Sequence, residues 1–372
     1  MVDLKQQYAA IKTEIDTALQ DVLDSAAFIQ GKQVQEFADH LARYLNVKHV
    51  VTCANGTDAL QIALMALGLQ PGDEVITPSF TYVATTEVVA LLRLKPVFVE
   101  VDPKTFNIDP QAVEKAITPK TKAIVPVHLY GQAADMQAIM DIAKRHNLFV
   151  VEDNAQAIGA DYSFPDGKSR KTGTIGNVGT TSFFPSKNLG CYGDGGAMFT
   201  NDDELAAKLK MIANHGQSKR YYHDMVGCNS RLDTLQAAVL NIKLKYLDNY
   251  IKARVAVADY YDKVFSVDSR ITTPYRAPYT THVFHQYTLQ LEGIDRDGLS
   301  KWLADHNIPS MIYYPVPAHR QKMFAAFGGS SYDLKTTDWL TERVISLPIH
   351  TEMQQEQLEH ITSKVMEYIK SK

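Results

Sequence analysis

From residue 48 onward, short apolar runs alternate with stretches of helical periodicity. The runs are His49 to Cys53, Glu74 to Thr77, Val97 to Val99, Ala123 to Val127, Leu148 to Val151, Val178 to Phe184 and Ala197 to Thr200. Amphipathic stretches lie between the earlier ones, at Thr57 to Leu67, Thr85 to Leu94, Pro110 to Ile117 and Ala134 to His146. Strands apolar on both faces that alternate with helices predict a mostly parallel sheet, of about seven strands, covered on both sides. Asp233 to Phe265 carries no Gly or Pro and reads as one long helix. After it the order changes: a strand at His285 to Leu291, a helix at Asp297 to His306, a strand at Ser310 to Tyr314 and a closing helix at Gln354 to Ile369. The expectation is an α/β large domain over residues 1–250 and a smaller α+β domain over 251–372, with an N-terminal helix, Leu4 to Leu23, packed across the boundary.

Length agrees with two domains, since 372 residues stand against about 150 per domain. The charge balance, 38 basic against 42 acidic residues, shows no basic patch or tail and argues against a nucleic-acid partner. Three scattered cysteines form no CxxC pair, so neither a disulfide framework nor a structural zinc site is expected. No apolar run reaches 18 residues and no basic-then-apolar leader opens the chain. These features predict a cytoplasmic enzyme without membrane segments.

In open α/β sheets, ligands bind beyond the carboxyl ends of the strands. Those ends collect an informative set here. Gly56-Thr57 opens a helix, where bare amides and the positive dipole end suit a phosphate, although taken alone an ordinary N-cap is the better reading. Neither GxGxxG nor a P-loop is present, so NAD and ATP lack support. Asp153 emerges at the rim of a buried strand, and Lys187 follows another where the chain can turn a long side chain back into the cleft. Tyr82 ends a third strand. Pyridoxal phosphate needs a lysine for its Schiff base, an acid for its ring nitrogen, a phosphate cup and an aromatic face. Lys187, Asp153, Gly56/Thr57 with Ser182, and Tyr82 meet those four needs. His282 and His285 could suggest a metal, but no acidic ligand is near in sequence, and structural roles are the better reading. The loop from His215 to His223 is basic and aromatic; it reads as solvated surface or as a ligand contact.

The motifs Ala54-Asn55-Gly56-Thr57-Asp58-Ala59-Leu60, Glu152-Asp153-Asn154-Ala155-Gln156, Ser182-Phe183-Phe184-Pro185-Ser186-Lys187, Gly193-Asp194-Gly195-Gly196 and Asn229-Ser230-Arg231-Leu232-Asp233 span the chain. Through them the sequence resembles the DegT/StrS-type sugar aminotransferases, pyridoxal-phosphate enzymes of fold type I that aminate nucleotide-linked ketosugars. The resemblance implies that Lys187 is the Schiff-base lysine and Asp153 the pyridinium partner. It further implies that Gln156 bonds the phenolic oxygen, Tyr82 stacks on the ring, and Gly56, Thr57 and Ser182 hold the phosphate. The asparagine matching Asn229 reaches the neighbouring subunit's phosphate in this family, which implies a homodimer with shared sites. One departure is visible: Tyr313-Tyr314-Pro315-Val316-Pro317-Ala318-His319 has alanine where leucine is usual.

The implied reaction is a ping-pong transamination, with glutamate as donor and the pyridoxamine form of the cofactor in mid-cycle. Val127 to Met136 and Gly190 to Gly196 are most similar to members that aminate carbon 3, in particular of UDP-2-acetamido-3-oxo-glucuronate. Such a substrate carries a carboxylate, and Arg231 is the candidate partner, with Tyr314 and His319 lining the sugar pocket. A neutral dTDP-3-keto-6-deoxyhexose is the alternative, since Tyr130-Gly131-Gln132 also occurs in that group. Related dehydratases carry histidine at the position of Lys187, and some need cysteine thiolates for an iron–sulfur cluster; this chain has neither feature. A non-catalytic regulator is disfavoured by the intact Lys187, Asp153 and Gln156.

Overall fold

The computed structural model describes residues 1–372. Seven strands form the large sheet: β1 His49–Cys53, β2 Glu74–Pro78, β3 Lys95–Val99, β4 Thr121–Ile124, β5 Phe149–Asp153, β6 Val178–Ser182 and β7 Gly196–Thr200. Their order is β1-β7-β6-β5-β4-β2-β3, and only β7 runs antiparallel, pairing with both β1 and β6. All seven apolar runs therefore became strands. Successive residues on one strand feed different cores, which is why these segments show no polar alternation. Val151 packs with Val75, Ala123 and the Gly56–Ala66 helix on one face, while Val150 packs with Ile76, Ile124 and the Met136–His146 helix on the other. Pro126, which has no N–H, ends the regular part of the run expected to reach Val127; only an isolated bridge from Val127 to Asp153 continues it.

The second unit holds three short antiparallel strands, β8 Ile271–Thr272, β9 Tyr287–Leu291 and β10 Val344–Leu347. Helices Leu247–Phe265, Arg296–Asp305 and Gln355–Lys370 cover it, joined in one apolar cluster that includes Tyr261, Leu289, Leu303 and Val365.

Three elements differ from the sequence pattern. The single helix expected over Asp233 to Phe265 is two, Thr234–Leu244 and Leu247–Phe265. At the break, the amides of Lys245 and Tyr246 bond to carbonyls three residues back, tightening the turn. The two halves thereby bury different faces: Ala237 and Leu240 pack in the large unit, whereas Val257, Tyr261 and Phe265 face the small one. The N-terminal helix is likewise split at Ile11, into Leu4–Ala10 and Lys12–Ser25. Its first part still reaches the small unit, through Gln7 to Thr351 at 3.2 Å. The strand expected at Ser310 to Tyr314 is absent. Only Met311 pairs, with Ser346, because the next residues turn away toward the large sheet, where Tyr130 donates to the Tyr313 carbonyl.

Glu152 is wholly buried on β5, beside Asp153. Its carboxylate accepts from His128 Nε2 at 2.9 Å and from the amides of Gly173, Ile175 and Gly176 at 2.8, 2.6 and 2.6 Å. His128 Nδ1 accepts from the Ala134 amide, which assigns the ring proton to Nε2. Burial pushes the Glu152 pKa up, but His128 and the glycine amides outweigh it, and the net shift is downward. Removing this acceptor orphans four donors in the core. Glu152→Ala is expected to lose about 3 kcal/mol or more of stability, read as a lower urea midpoint.

Candidate active site

The Gly56–Ala66 helix starts at Asn55, whose side chain accepts from the Asp58 amide at 2.8 Å. Gly56 lies so close to β6 that an added Cβ would stand 2.6 Å from the Ser182 Cβ. Only glycine permits this approach, and it brings the bare amides of the helix start beside the Ser182 hydroxyl. Thr57 lies in the same turn.

Asp153 ends β5, nearly buried, with Thr85 Oγ1 donating to Oδ2 at 2.8 Å and the Ala155 amide to Oδ1 at 3.1 Å. Thr81 Oγ1 lies 3.1 Å from Thr85 Oγ1 and extends the chain. Lys187 follows β6 in a tight turn. The residue is half-buried; burial around its amine lowers its pKa to about 8, and the nearby Asp153 charge opposes that shift. Gln156 is oriented by the Tyr130 amide, which donates to Oε1 at 2.7 Å, so Nε2 is left to donate to Tyr314 Oη at 3.0 Å. Tyr82 is largely exposed, its ring centroid 6.4 Å from that of Tyr314.

Lys187, Asp153, Gln156, Tyr314 and Tyr82 thus meet beyond the strand ends, with Gly56 and Ser182 at one edge. Three other expected residues stand apart. Asn229 is exposed on the outside of its own chain, and Arg231 lines a separate open cleft of about 630 Å³ with Thr52, Lys210 and Gln217. Ser230 between them is buried and donates to Asp58 Oδ2 at 2.6 Å, so this segment is anchored to the Gly56 helix while its neighbours face away. His319 does not line an open pocket: its ring is buried against Ser79. Ala318, the departure noted above, packs with Phe98, Phe324 and Leu334, so the residue at that position faces a core.

Sequence reasoning missed Thr85, Tyr130 and His285. Thr85 and Tyr130 act through distant partners that no local pattern shows. His285 is buried, and its pKa is held well below the usual range by burial, then by the Lys187 and Arg254 charges, which keeps it neutral beside the amine. These residues fit pyridoxal phosphate: a primary amine eased toward its neutral form, a fixed carboxylate near it, and a glycine-bared helix start with an adjacent hydroxyl.

Residues 9–366 match the DegT/DnrJ/EryC1/StrS aminotransferase family. The chain belongs to that family. It is a fold type I, pyridoxal-phosphate-dependent aminotransferase of nucleotide-linked sugars. It is 49% identical over 349 residues to the UDP-2-acetamido-2-deoxy-3-oxo-D-glucuronate aminotransferase of Pseudomonas aeruginosa, covering 94% of each chain. A protein of Geobacillus stearothermophilus named as a pleiotropic regulatory protein is 46% identical, over 99% of this chain and 98% of its own. Among solved structures, Streptomyces venezuelae DesV in complex with a ketimine intermediate matches with a TM-score of 0.92 and 42% identity, covering 99% of this chain and 97% of that one. No helix is long and apolar enough to cross a membrane.

The Lys187 shift carries a sign. Below about pH 8 the amine is protonated whether the chain is folded or not, and the folded state bears the full desolvation cost. Between about 8 and the unfolded value near 10.5 the folded state sheds its proton first, so stability rises with pH. Cofactor-free Lys187→Met is therefore expected to melt higher than cofactor-free wild type at pH 7, with the difference fading above pH 8. Melting curves across pH 6.5–10.5 check this.

Proposed function

We propose that this enzyme aminates carbon 3 of a UDP-linked 2-acetamido-3-oxo-glucuronate, with glutamate as donor. The observation that carries the chemistry is the Lys187 amine, its pKa lowered by burial, near the fixed Asp153 carboxylate. The relative of the same activity at 49% identity supports the substrate.

Bound pyridoxal phosphate supplies an electron-withdrawing ring that stabilises negative charge at the donor's α-carbon and carries the amino group between substrates. Lys187 would hold its aldehyde carbon, and the freed amine moves the proton at the donor's α-carbon. A pKa near 8 keeps part of the amine neutral, as that task requires. Asp153, oriented by Thr85 and the Ala155 amide, would keep the ring nitrogen protonated. Gly56, Thr57 and Ser182 would hold the phosphate, Tyr82 would cover the ring, and Gln156 Nε2 would reach the phenolic oxygen. Tyr314 closes the sugar side.

Asn229 and Arg231 stand outside their own chain's Lys187 site, which supports their supply to a second copy. Exposed Phe28, Ile29, Tyr221 and Val226 add an apolar surface suited to an interface. In this reading the protein is a homodimer, and Arg231 of the partner subunit grips the sugar carboxylate in two parallel hydrogen bonds. The free thiols of Cys53, Cys191 and Cys228 support a reducing, cytoplasmic setting. The Geobacillus relative's name speaks of regulation, but a lysine tuned in this way supports chemistry here.

Purified protein should carry a yellow cofactor that glutamate bleaches and 2-oxoglutarate restores, and Lys187→Ala should lower turnover by about 10²–10⁴-fold. A colourless protein that takes up no added pyridoxal phosphate, or an active alanine variant, sinks the assignment of Lys187. Mixing inactive Lys187→Ala with an inactive Asn229→Ala/Arg231→Ala variant should restore part of the activity; demonstrated subunit exchange without rescue excludes shared sites. In competition, the UDP-linked keto acid should outrun a dTDP-3-keto-6-deoxyhexose, and Arg231→Lys should erase that preference. Amination of the neutral sugar alone, unchanged in Arg231→Lys, defeats the carboxylate argument.

A further inference from the structure

Ser79, just past β2, makes three hydrogen bonds to one short stretch of chain. Its carbonyl accepts from the Ala318 amide at 2.9 Å, and its Oγ accepts from the His319 amide at 3.1 Å. The same Oγ then donates to His319 Nδ1 at 2.7 Å, which places the ring proton on Nε2; that N–H has no hydrogen-bond partner, with Asp338 Oδ1 standing 3.4 Å away. Both Ser79 and the His319 ring are shut off from solvent. Asp338 also holds Arg320, with Nη2 at 2.8 Å. Its helix, Lys335–Thr341, is fixed in turn by Glu100, which accepts from the Thr336 and Thr337 amides at 2.9 Å each and from Thr337 Oγ1 at 2.8 Å. The chain from 318 to 341 is thus tied to the carboxyl ends of both β2 and β3.

These ties lie next to the two aromatic walls of the site. Tyr82 is three residues beyond Ser79, and Tyr314 is five residues before His319. Pro315 and Pro317 stiffen the span between Tyr314 and the latch. Phe80, beside Ser79, packs edge-on to Tyr314 with ring centroids 6.0 Å apart.

We infer that His319 is a positioning residue for the sugar half-reaction: it latches the Tyr314 segment to Ser79 and so fixes the gap between Tyr314 and Tyr82, without touching the sugar. This deepens the amination reading and rests on it only for the choice of substrate. The latch makes Ser79 and His319 one unit, so their removal cannot add.

The test uses the cofactor-loaded protein with Ser79→Ala, His319→Phe and the double variant. Amide hydrogen exchange over residues 316–320, without substrate, should quicken about tenfold in each single variant, the scale of one lost hydrogen bond. The KM for the ketosugar should rise about 5–10-fold in both, with kcat and the glutamate half-reaction near wild type. The double variant should be no worse than the poorer single one. A KM raised in His319→Phe but not in Ser79→Ala makes His319 a sugar contact and overturns the latch. A lower melting temperature with unchanged KM in both reduces it to a structural contact and overturns it as well. Should His319→Phe fail to fold, Ser79→Ala carries the test alone. If wild type aminates no nucleotide ketosugar, the substrate reading falls, while exchange at 316–320 still decides whether the latch exists.

Discussion

A carboxylate with no access to water holds the middle of this molecule. Glu152 gathers one imidazole and three backbone amides from loops that follow two different strands. An unpaired charge at that depth costs several kcal/mol, so the loops have little freedom to be elsewhere. The same strand turns its next side chain to the opposite face, and that side chain is Asp153. One residue fixes the frame, and its neighbour presents a carboxylate toward Lys187. The adjacency in sequence is therefore mechanical as well as chemical.

The amine opposite Asp153 shows two effects of opposite sign. Burial lowers the Lys187 pKa, the nearby carboxylate raises it, and burial wins. Had the carboxylate prevailed, the neutral fraction of the amine near neutral pH would be far smaller than a pKa of about 8 allows. The same site holds His285 neutral: burial, then the Lys187 and Arg254 charges, keep its pKa well below the usual range.

Much of the sheet was legible because its strands are buried on both faces, and continuous apolar runs such as Val150-Val151 have few other uses. Lys187, Asp153 and Gly56 were legible because each follows such a run, at the end where ligands bind. What escaped sequence reading depended on long-range partners. The break at Lys245–Tyr246 falls in good helix-forming sequence and reflects a change in what the two halves pack against. The strand expected at Ser310 to Tyr314 carried a plausible β pattern, but Tyr130 and Gln156 pull its last residues to the large sheet. His319 was placed in the sugar pocket with Tyr314 through the motif they share, and nothing local announced Ser79, 240 residues away.

That last distance bears on how the site is assembled. The carboxyl ends of a parallel sheet supply bases, acids and helix termini, but they form a flat rim rather than an enclosed cleft. A wall has to come from elsewhere, and here it is the excursion from Met311 to Thr341, rooted in the small unit by the Met311–Ser346 pair and Val344. A wall on a free loop would lose much of its binding energy to ordering each time substrate arrived. Hydrogen bonds to Ser79 and Glu100 place that ordering within folding, and the apolar cluster of Phe80, Phe106 and Tyr130 with Leu340 and Val344 adds burial at the same seam. The cleft is thus preformed on this side.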